Sequence, residues 1–318
     1  VYNAWYRRLA NEQLVEESDM KGIPLLRPWG AHLWDEACHF LRQHLRCLGA
    51  QFFTLPISSH GTSDGGNVSQ FVVREAAEGL LYKVLAKSIK SMRDLPLILM
   101  RFSVAVASKT DVKRPVPLLR SGELALQEGH AVHSTEEETE EFLEQVLRVY
   151  LCLCRDLFCL HAFVQESAGR RSVHVRIRDG DSIEVATMKN LGRKMAEDFK
   201  MSYTSTEAGA ENRVCVLSYF ACTVRLIAAT VCTFGDALGC CWPPKVAPLQ
   251  VVIIPMMRYQ DRVKDEAGQH SLQRILEWCE EARHQLESES IRVKSHVENE
   301  TPGKRIRHWI SRGVPLVL

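Results

Sequence analysis

Apolar positions recur at helical spacing over residues 32–48, where Leu33, Ala37, Phe40, Leu41, Leu45 and Leu48 share one face. Gly49 closes that helix, and 51–56 follows as an apolar strand ending on Pro56. Another helix is predicted ahead of it over 4–21, then a short strand and turn in GIPLLRPWG. After Pro56 comes a loop rich in Ser and Gly, ISSHGTSDGGNVS, without periodicity. The pattern returns to helix over 74–92. It then alternates over 101–108 as a strand, with 123–130 as its return partner across the basic loop 109–114. Ser134 and Thr135 precede Glu136, Glu137 and Glu138, which places an N-cap and an acidic first turn on a helix reaching to about Phe158. These glutamates read as a solvated face. Strands are predicted again at 172–178, 182–186 and 213–220. Past the proline-rich stretch 243–248, a strand at 250–255, an amphipathic helix at 271–288 and a strand at 291–294 give the βαβ order of a small α/β domain. No internal repeat interrupts this order.

Length and composition narrow the class. The 318 residues suffice for two domains, and 46% hydrophobic with 25% charged residues is ordinary for a folded soluble chain. No run approaches the roughly 18–20 apolar residues of a membrane helix, so no membrane association is expected. A formal net charge of +1 confines any nucleic-acid contact to local patches. The eleven cysteines are odd in number and include no CxxC, only Cys152-x-Cys154 and the adjacent Cys240 and Cys241. A zinc site is therefore not expected, and reduced, mostly buried thiols are. That suits a cytoplasmic protein, with the mitochondrion as the alternative. The chain begins at Val1 and no signal-like segment precedes residues 2–8, so it reads as a fragment or a processed end.

Six ordered blocks carry a family resemblance. Residues 119–133, LRSGELALQEGHAVH, resemble the stretch FLRTREFLWQEGHSAH of class II prolyl-tRNA synthetases of the archaeal and eukaryotic type. Arg120, Glu123, Gln127, Glu128, Gly129, His130 and His133 match, while Gly122 and Leu126 stand where that family has Arg and Trp. Ala4-Trp5-Tyr6 resembles the family's opening SEWY-type segment. Residues 22–58 resemble class II motif 1, a dimer-forming helix and a strand closing on a proline. SMRDLPL at 91–97 matches SYRDLPL. PPKVAPLQVVIIP at 243–255 and TPGKRIRHWISRGVPL at 301–316 resemble the family's anticodon-binding domain.

The resemblance implies an α+β fold: a class II synthetase-like catalytic core over 1–242, an antiparallel sheet flanked by helices, then an anticodon-binding-like α/β domain over 243–318. The family continues with further strands, so this second domain is expected to be incomplete. The implied activity is ATP-dependent prolyl-adenylate formation, with Mg2+, and transfer to tRNA. The implied partners are a second copy of the chain, and tRNA or a multi-protein synthetase assembly.

At the substrate-binding positions the match thins. The family's motif 2 strand carries an Arg in VVRWE, suited to gripping phosphate oxygens bidentately. Here the strand reads VAVASKTD. Counting from SMRDLPL puts Ala107 and Lys109 at the Arg and Glu; counting back from QEGH puts Lys109 and Asp111 there. Neither register supplies an Arg, which leaves Lys109 as a point charge. The family's RPTSE appears as Arg74-Glu75-Ala76-Ala77-Glu78, which keeps Glu78 and loses the hydroxyl. In EVATMKNLGRKM, matched to QGATSHHLGQNF, Thr187, Leu191 and Gly192 stay while Lys189 replaces a substrate-side His. In YFACTVR, matched to SWGLTTR, Arg225 stays for the γ-phosphate side of ATP; Phe220 and Ala221 replace Trp and Gly, and a methyl in place of that Gly would crowd the adenine. The loop 60–70 is short for the family, its covering segment either deleted or absent from this sequence.

The resemblance thus implies Arg225 and Lys109 as catalytic cations, and Arg225, Lys109, Arg120, Glu184 and Thr187 toward ATP. It implies Glu78, Glu128, His130 and Lys189 as the remnant of a proline pocket, with no metal ligands. Lys109, Lys113 and Arg114 form a basic loop where such enzymes meet the tRNA acceptor end. Lys304, Arg305, Arg307 and Arg312 make 301–318 basic, with Trp309 assigned to the core. Because the losses fall together in motif 2, the proline pocket and the adenine side, the expected function is that of a degenerate paralogue. Such a chain would keep the dimeric fold as a protein- or RNA-interaction module. A working proline–tRNA ligase is the alternative.

Overall fold

The computed structural model describes residues 4–20, 22–55, 58–60, 71–73, 78–106, 114–178, 180–205, 211–256, 266–297 and 301–318. Helix α1 (Ala4–Leu9) passes through a π turn, Ala10–Leu14, into strand β1 (Val15–Glu17), which pairs antiparallel with β2 (Pro24–Leu26). The helix predicted over 4–21 therefore stops early. Val15 is fully buried and the Arg27 amide donates to the Leu14 carbonyl, so pairing with β2 outweighs helix continuation. Pro28 opens α2 (Pro28–Cys47), which buries Leu33, Ala37, Leu41 and Leu45 as its periodicity requires. Gly49, at φ +89°, turns the chain into β3 (Gln51–Phe52).

Two short strands, β4 (Ser58–His60) and β5 (Phe71–Val73), form a separate antiparallel pair. Helix α3 (Glu78–Ser88) leads to β6 (Leu97–Val106), which runs in unbroken antiparallel register with β7 (Glu123–His133). Helix α4 (Glu136–Cys152) ends in a π turn, Leu153–Leu157, close to the expected boundary. Strands β8 (Ala162–Ser167), β9 (Arg170–Arg176) and β10 (Ser182–Gly192) follow as a meander. Then come α5 (Lys194–Asp198), the small hairpin β11 (Ser202–Thr204) and β12 (Asn212–Val214), β13 (Val216–Thr223) and α6 (Arg225–Phe234).

The main sheet has the order β3-β6-β7-β13-β10-β9-β8, antiparallel except for the parallel pair β3–β6 at one edge. One face, with Met100, Ala131, Met188 and Phe220, joins α2, α4 and α6 in the large core. On the opposite face Leu81, Tyr82 and Leu85 of α3 pack with Val132 and Leu217 at one end. Beyond them, among the described residues, that face carries Arg101, Glu128 and Thr187 beside Leu126 and Ala221.

The C-terminal part contains β14 (Val251–Ile253), α7 (Glu266–Ser288), β15 (Val293–Ser295), α8 (Pro302–Ser311) and β16 (Leu316–Val317). Its all-parallel sheet has the order β15-β14-β16. The core of this part is Val252, Ile254, Trp309 and Val314, so Trp309 is buried as expected. Gln13 Nε2 and Trp242 Nε1 donate to the carbonyls of Ser311 and Arg312, tying α8 to the large core. All eleven cysteines are free thiols. Among the described residues no helix is long and apolar enough to cross a membrane.

Candidate functional site

Paired residues of neighbouring antiparallel strands share a face, as do alternate residues along one strand. The register therefore sets Arg101, Glu128, Ala221 and Thr187 in one row across β6, β7, β13 and β10. Leu99, His130, Tyr219 and Lys189 form the adjoining row, and Leu126 faces Thr223 on the other side. Glu128 and His130 of one motif and Lys189 of another are thus brought onto one surface.

Arg101, which no motif flagged, dominates that surface. Its Nε donates to Glu128 Oε1 at 2.5 Å, and its Nη2 lies against the same oxygen. The two side chains are only 13% and 11% exposed, so little solvent screens the pair. His130 is buried, with Nδ1 3.0 Å from the Tyr82 hydroxyl and its ring between those of Tyr82 and Tyr219, at 5.4 and 5.2 Å. Its Nε2 is buried without a hydrogen-bond partner. Burial first, and the Arg101 charge second, push its pKa down to about 3, so the imidazole is neutral. Lys189 is exposed, and its register partners are Tyr219 on β13 and Arg170 on β9.

The residues nominated toward ATP fall into two groups. Arg120, Glu184 and Arg225 line one cleft of ≈ 160 Å³, where Arg225, the first residue of α6, is anchored by Nε donating to the Leu119 carbonyl at 3.1 Å. Thr187 and Glu184 are held by Arg170, whose Nε donates to Thr187 Oγ1 at 2.8 Å and whose Nη2 donates to Glu184 Oε1 at 2.5 Å. Arg120 also borders a larger cavity of ≈ 400 Å³, lined in addition by Arg7 and Arg114. Lys109, Lys113 and both registers considered for the motif 2 Arg lie outside the described residues. So do 74–77, the loop 61–70 and the side chain of Glu78, the first residue of α3.

Phe220 lies on the face of β13 opposite to Ala221. Alternation along β13 turns it to the helix-packed face, where a Cβ added to Gly129 would meet its Cζ at 2.2 Å and where Phe142 packs edge-on. Only Ala221, itself buried, stands on the site face, between Glu128 and Thr187. Arg101 and Arg170 take up Glu128 and Glu184, while among the described residues Arg120 and Arg225 share the smaller cleft and Lys189 stands exposed on the sheet. Such a donor set fits a phosphate-bearing group. Among the described residues no group of three or more His, Cys, Asp or Glu is placed to hold a metal ion.

A seven-stranded, largely antiparallel sheet backed by helices, with a guanidinium-lined cleft and a following α/β unit, defines the class II aminoacyl-tRNA synthetase architecture. The profile of the anticodon binding domain matches residues 250–318. Over its whole length the chain is 30% identical to proline–tRNA ligase 2 of Rhodococcus jostii (strain RHA1), covering 70% of that protein. It is 26% identical to proline–tRNA ligase of Erythrobacter litoralis (strain HTCC2594), covering 69%. It is also 25% identical to the bifunctional glutamate/proline–tRNA ligase of Mus musculus, of which it spans 23%. The chain belongs to the proline–tRNA ligase family. Its alignment with the Erythrobacter protein runs over 370 positions against 318 residues, so that relative carries residues with no counterpart here.

Proposed function

We propose that this is a prolyl-tRNA synthetase-like protein whose proline and ATP sites have decayed. It acts as a non-catalytic or weakly active paralogue, a dimeric module for protein or RNA interaction. On this reading, 1–242 is the catalytic-core-like part and 243–318 the anticodon-binding-like part. The observation that carries the reading is the Arg101–Glu128 pair: the buried carboxylate of Glu128 is already paired with a guanidinium of the chain itself. The sequence losses agree with it. A transition-state phosphate contact removed from an enzyme costs about 10²–10³ in rate, and here the motif 2 Arg, the Thr hydroxyl and the Trp wall are all replaced.

Any nucleotide affinity that remains rests on the guanidiniums the family's motifs retain. Arg120 and Arg225 would hold the triphosphate, with Lys109 as a further cation. A bound ATP would supply the pyrophosphate leaving group. Mg2+ would rely on phosphate oxygens, because Glu184 is engaged by Arg170. Partners follow from the same surface and from the basic segment 301–318: a second copy of the chain, tRNA, or a multi-protein synthetase assembly. The proposed compartment is the cytoplasm, with the mitochondrion as the alternative. Incubation with proline, ATP and tRNA, followed by assay for prolyl-tRNA, tests this function. Retention of tRNA without charging is expected, and efficient charging would restore the ligase reading.

A further inference from the structure

We propose that Arg101 is a built-in occupant of the amino-acid subsite, a tethered cation that takes the carboxylate an incoming ammonium would need and so closes the pocket to amines. The inference rests on reading Glu128 and His130 as the floor of the former proline pocket.

Three observations carry it. Arg101 and Glu128 are direct cross-strand partners on the open face, so the guanidinium is delivered to the carboxylate by backbone register rather than by a flexible loop. Both nitrogens that approach converge on one oxygen, Oε1, in a setting almost closed to solvent. A free ammonium would have to displace a group held at the high effective concentration that tethering gives. Among the described residues the surroundings offer an amine little else. Tyr219, Leu126 and the neutral imidazole of His130 line the adjoining positions, and Lys189, exposed on the same face, would repel a cation. His130 Nε2 is buried without a partner in the adjoining row, and in the tautomer whose Nδ1–H donates to the Tyr82 hydroxyl it is an acceptor. With Arg101 removed, the Glu128 carboxylate is freed for a small primary or cyclic ammonium, and His130 Nε2 in that tautomer is a second acceptor.

The test is titration of the folded chain with L-proline and with pyrrolidine, followed by calorimetry and by the melting temperature. The wild type should show no saturable response. Arg101→Ala should gain affinity for both amines, by at least about tenfold, and should rise in melting temperature with amine concentration. Cyclopentanecarboxylate, which lacks the nitrogen, should give no gain. Arg101→Lys should stay closed, and Arg101→Ala combined with Glu128→Gln should lose what the single variant gained. Should Arg101→Ala not fold, Arg101→Gln keeps a hydrogen-bond donor while removing the charge and serves the same comparison. In the wild type itself, the NMR signal of the Arg101 Nε–H should be protected from exchange and unmoved by proline. Displacement of that signal by proline, or a folded neutral variant that binds no amine, would overturn the inference. Adenylate formation by the wild type is a separate readout: it would sink the decayed-enzyme reading whatever the amine titrations show.

Discussion

Gly129 is the residue at which pocket and core meet. Its neighbours Glu128 and His130 point to the open face, while its own missing side chain makes room for the Phe220 ring on the other. Gly129→Ala should therefore destabilise the fold by about 1–3 kcal/mol, the usual cost of overpacking, in urea unfolding. Adding Phe220→Leu should recover part of that loss, and strictly additive effects would show that the ring is not the obstacle. The two histidines of this strand set a pH dependence. Burial holds His130 down to about 3 and His133 down to about 4. In the unfolded chain both protonate near 6.5. Below that pH the unfolded state binds more protons, so stability is complete above about 6.5 and is lost as pH falls toward about 4 and then about 3. The slope is at most about 1.4 kcal/mol per pH unit for each imidazole. Urea midpoints that stay flat through this window would show that the rings are not buried in neutral form. What was legible at this scale followed chemistry written in short motifs: Glu128 and His130 share a face because their segment forms β7, and Arg225 opens α6 where its segment leaves β13. Arg101 was hidden because its meaning is a pairing register between strands, and one residue of slip would have turned it to the other face.

At the scale of elements, local signals carried over where the chain itself supplies the stabilisation. The start of α4 is such a case. Thr135 accepts from the Glu138 amide at 3.2 Å, and the Glu138 carboxylate returns to Ser134, accepting from its amide at 3.1 Å and its hydroxyl at 2.5 Å. The Ser134 hydroxyl bond is the first cause holding Glu138 below the ordinary carboxylate pKa. Thr135→Ala should cost about 1 kcal/mol, read as a lower melting temperature with the fold intact; an unchanged value would assign the helix start to packing alone. The β6–β7 hairpin was likewise legible from alternation. The N-terminal helix was not, because its early end, after the π turn at Leu14, depends on β1 finding β2, and on the Arg27 amide finding the Leu14 carbonyl. Those are contacts that no periodicity within 4–21 records. Phe220 shows the same limit: which face it takes follows from the strand's register with β7, not from its place in a motif.

In the whole molecule, apolar side chains are left open where β6 runs past its short neighbour β3. That strand pairs only Leu99 and Met100, and beyond them Phe102, Val104 and Val106 are 51%, 41% and 37% exposed. A strip of this kind favours an isologous contact with a second copy. Light scattering at micromolar concentration should report a dimer, and Phe102→Asp should shift it toward monomer without lowering the melting temperature of the fold. A wild-type monomer would remove the dimeric module from the proposal. As proposed, this family member keeps the architecture while the carboxylates of its site are held by its own arginines. Proline-dependent exchange of pyrophosphate into ATP tests it most directly, because the adenylate half-reaction needs neither tRNA nor the C-terminal part. Exchange at or near background is expected for the wild type; robust exchange that saturates with proline would contradict it.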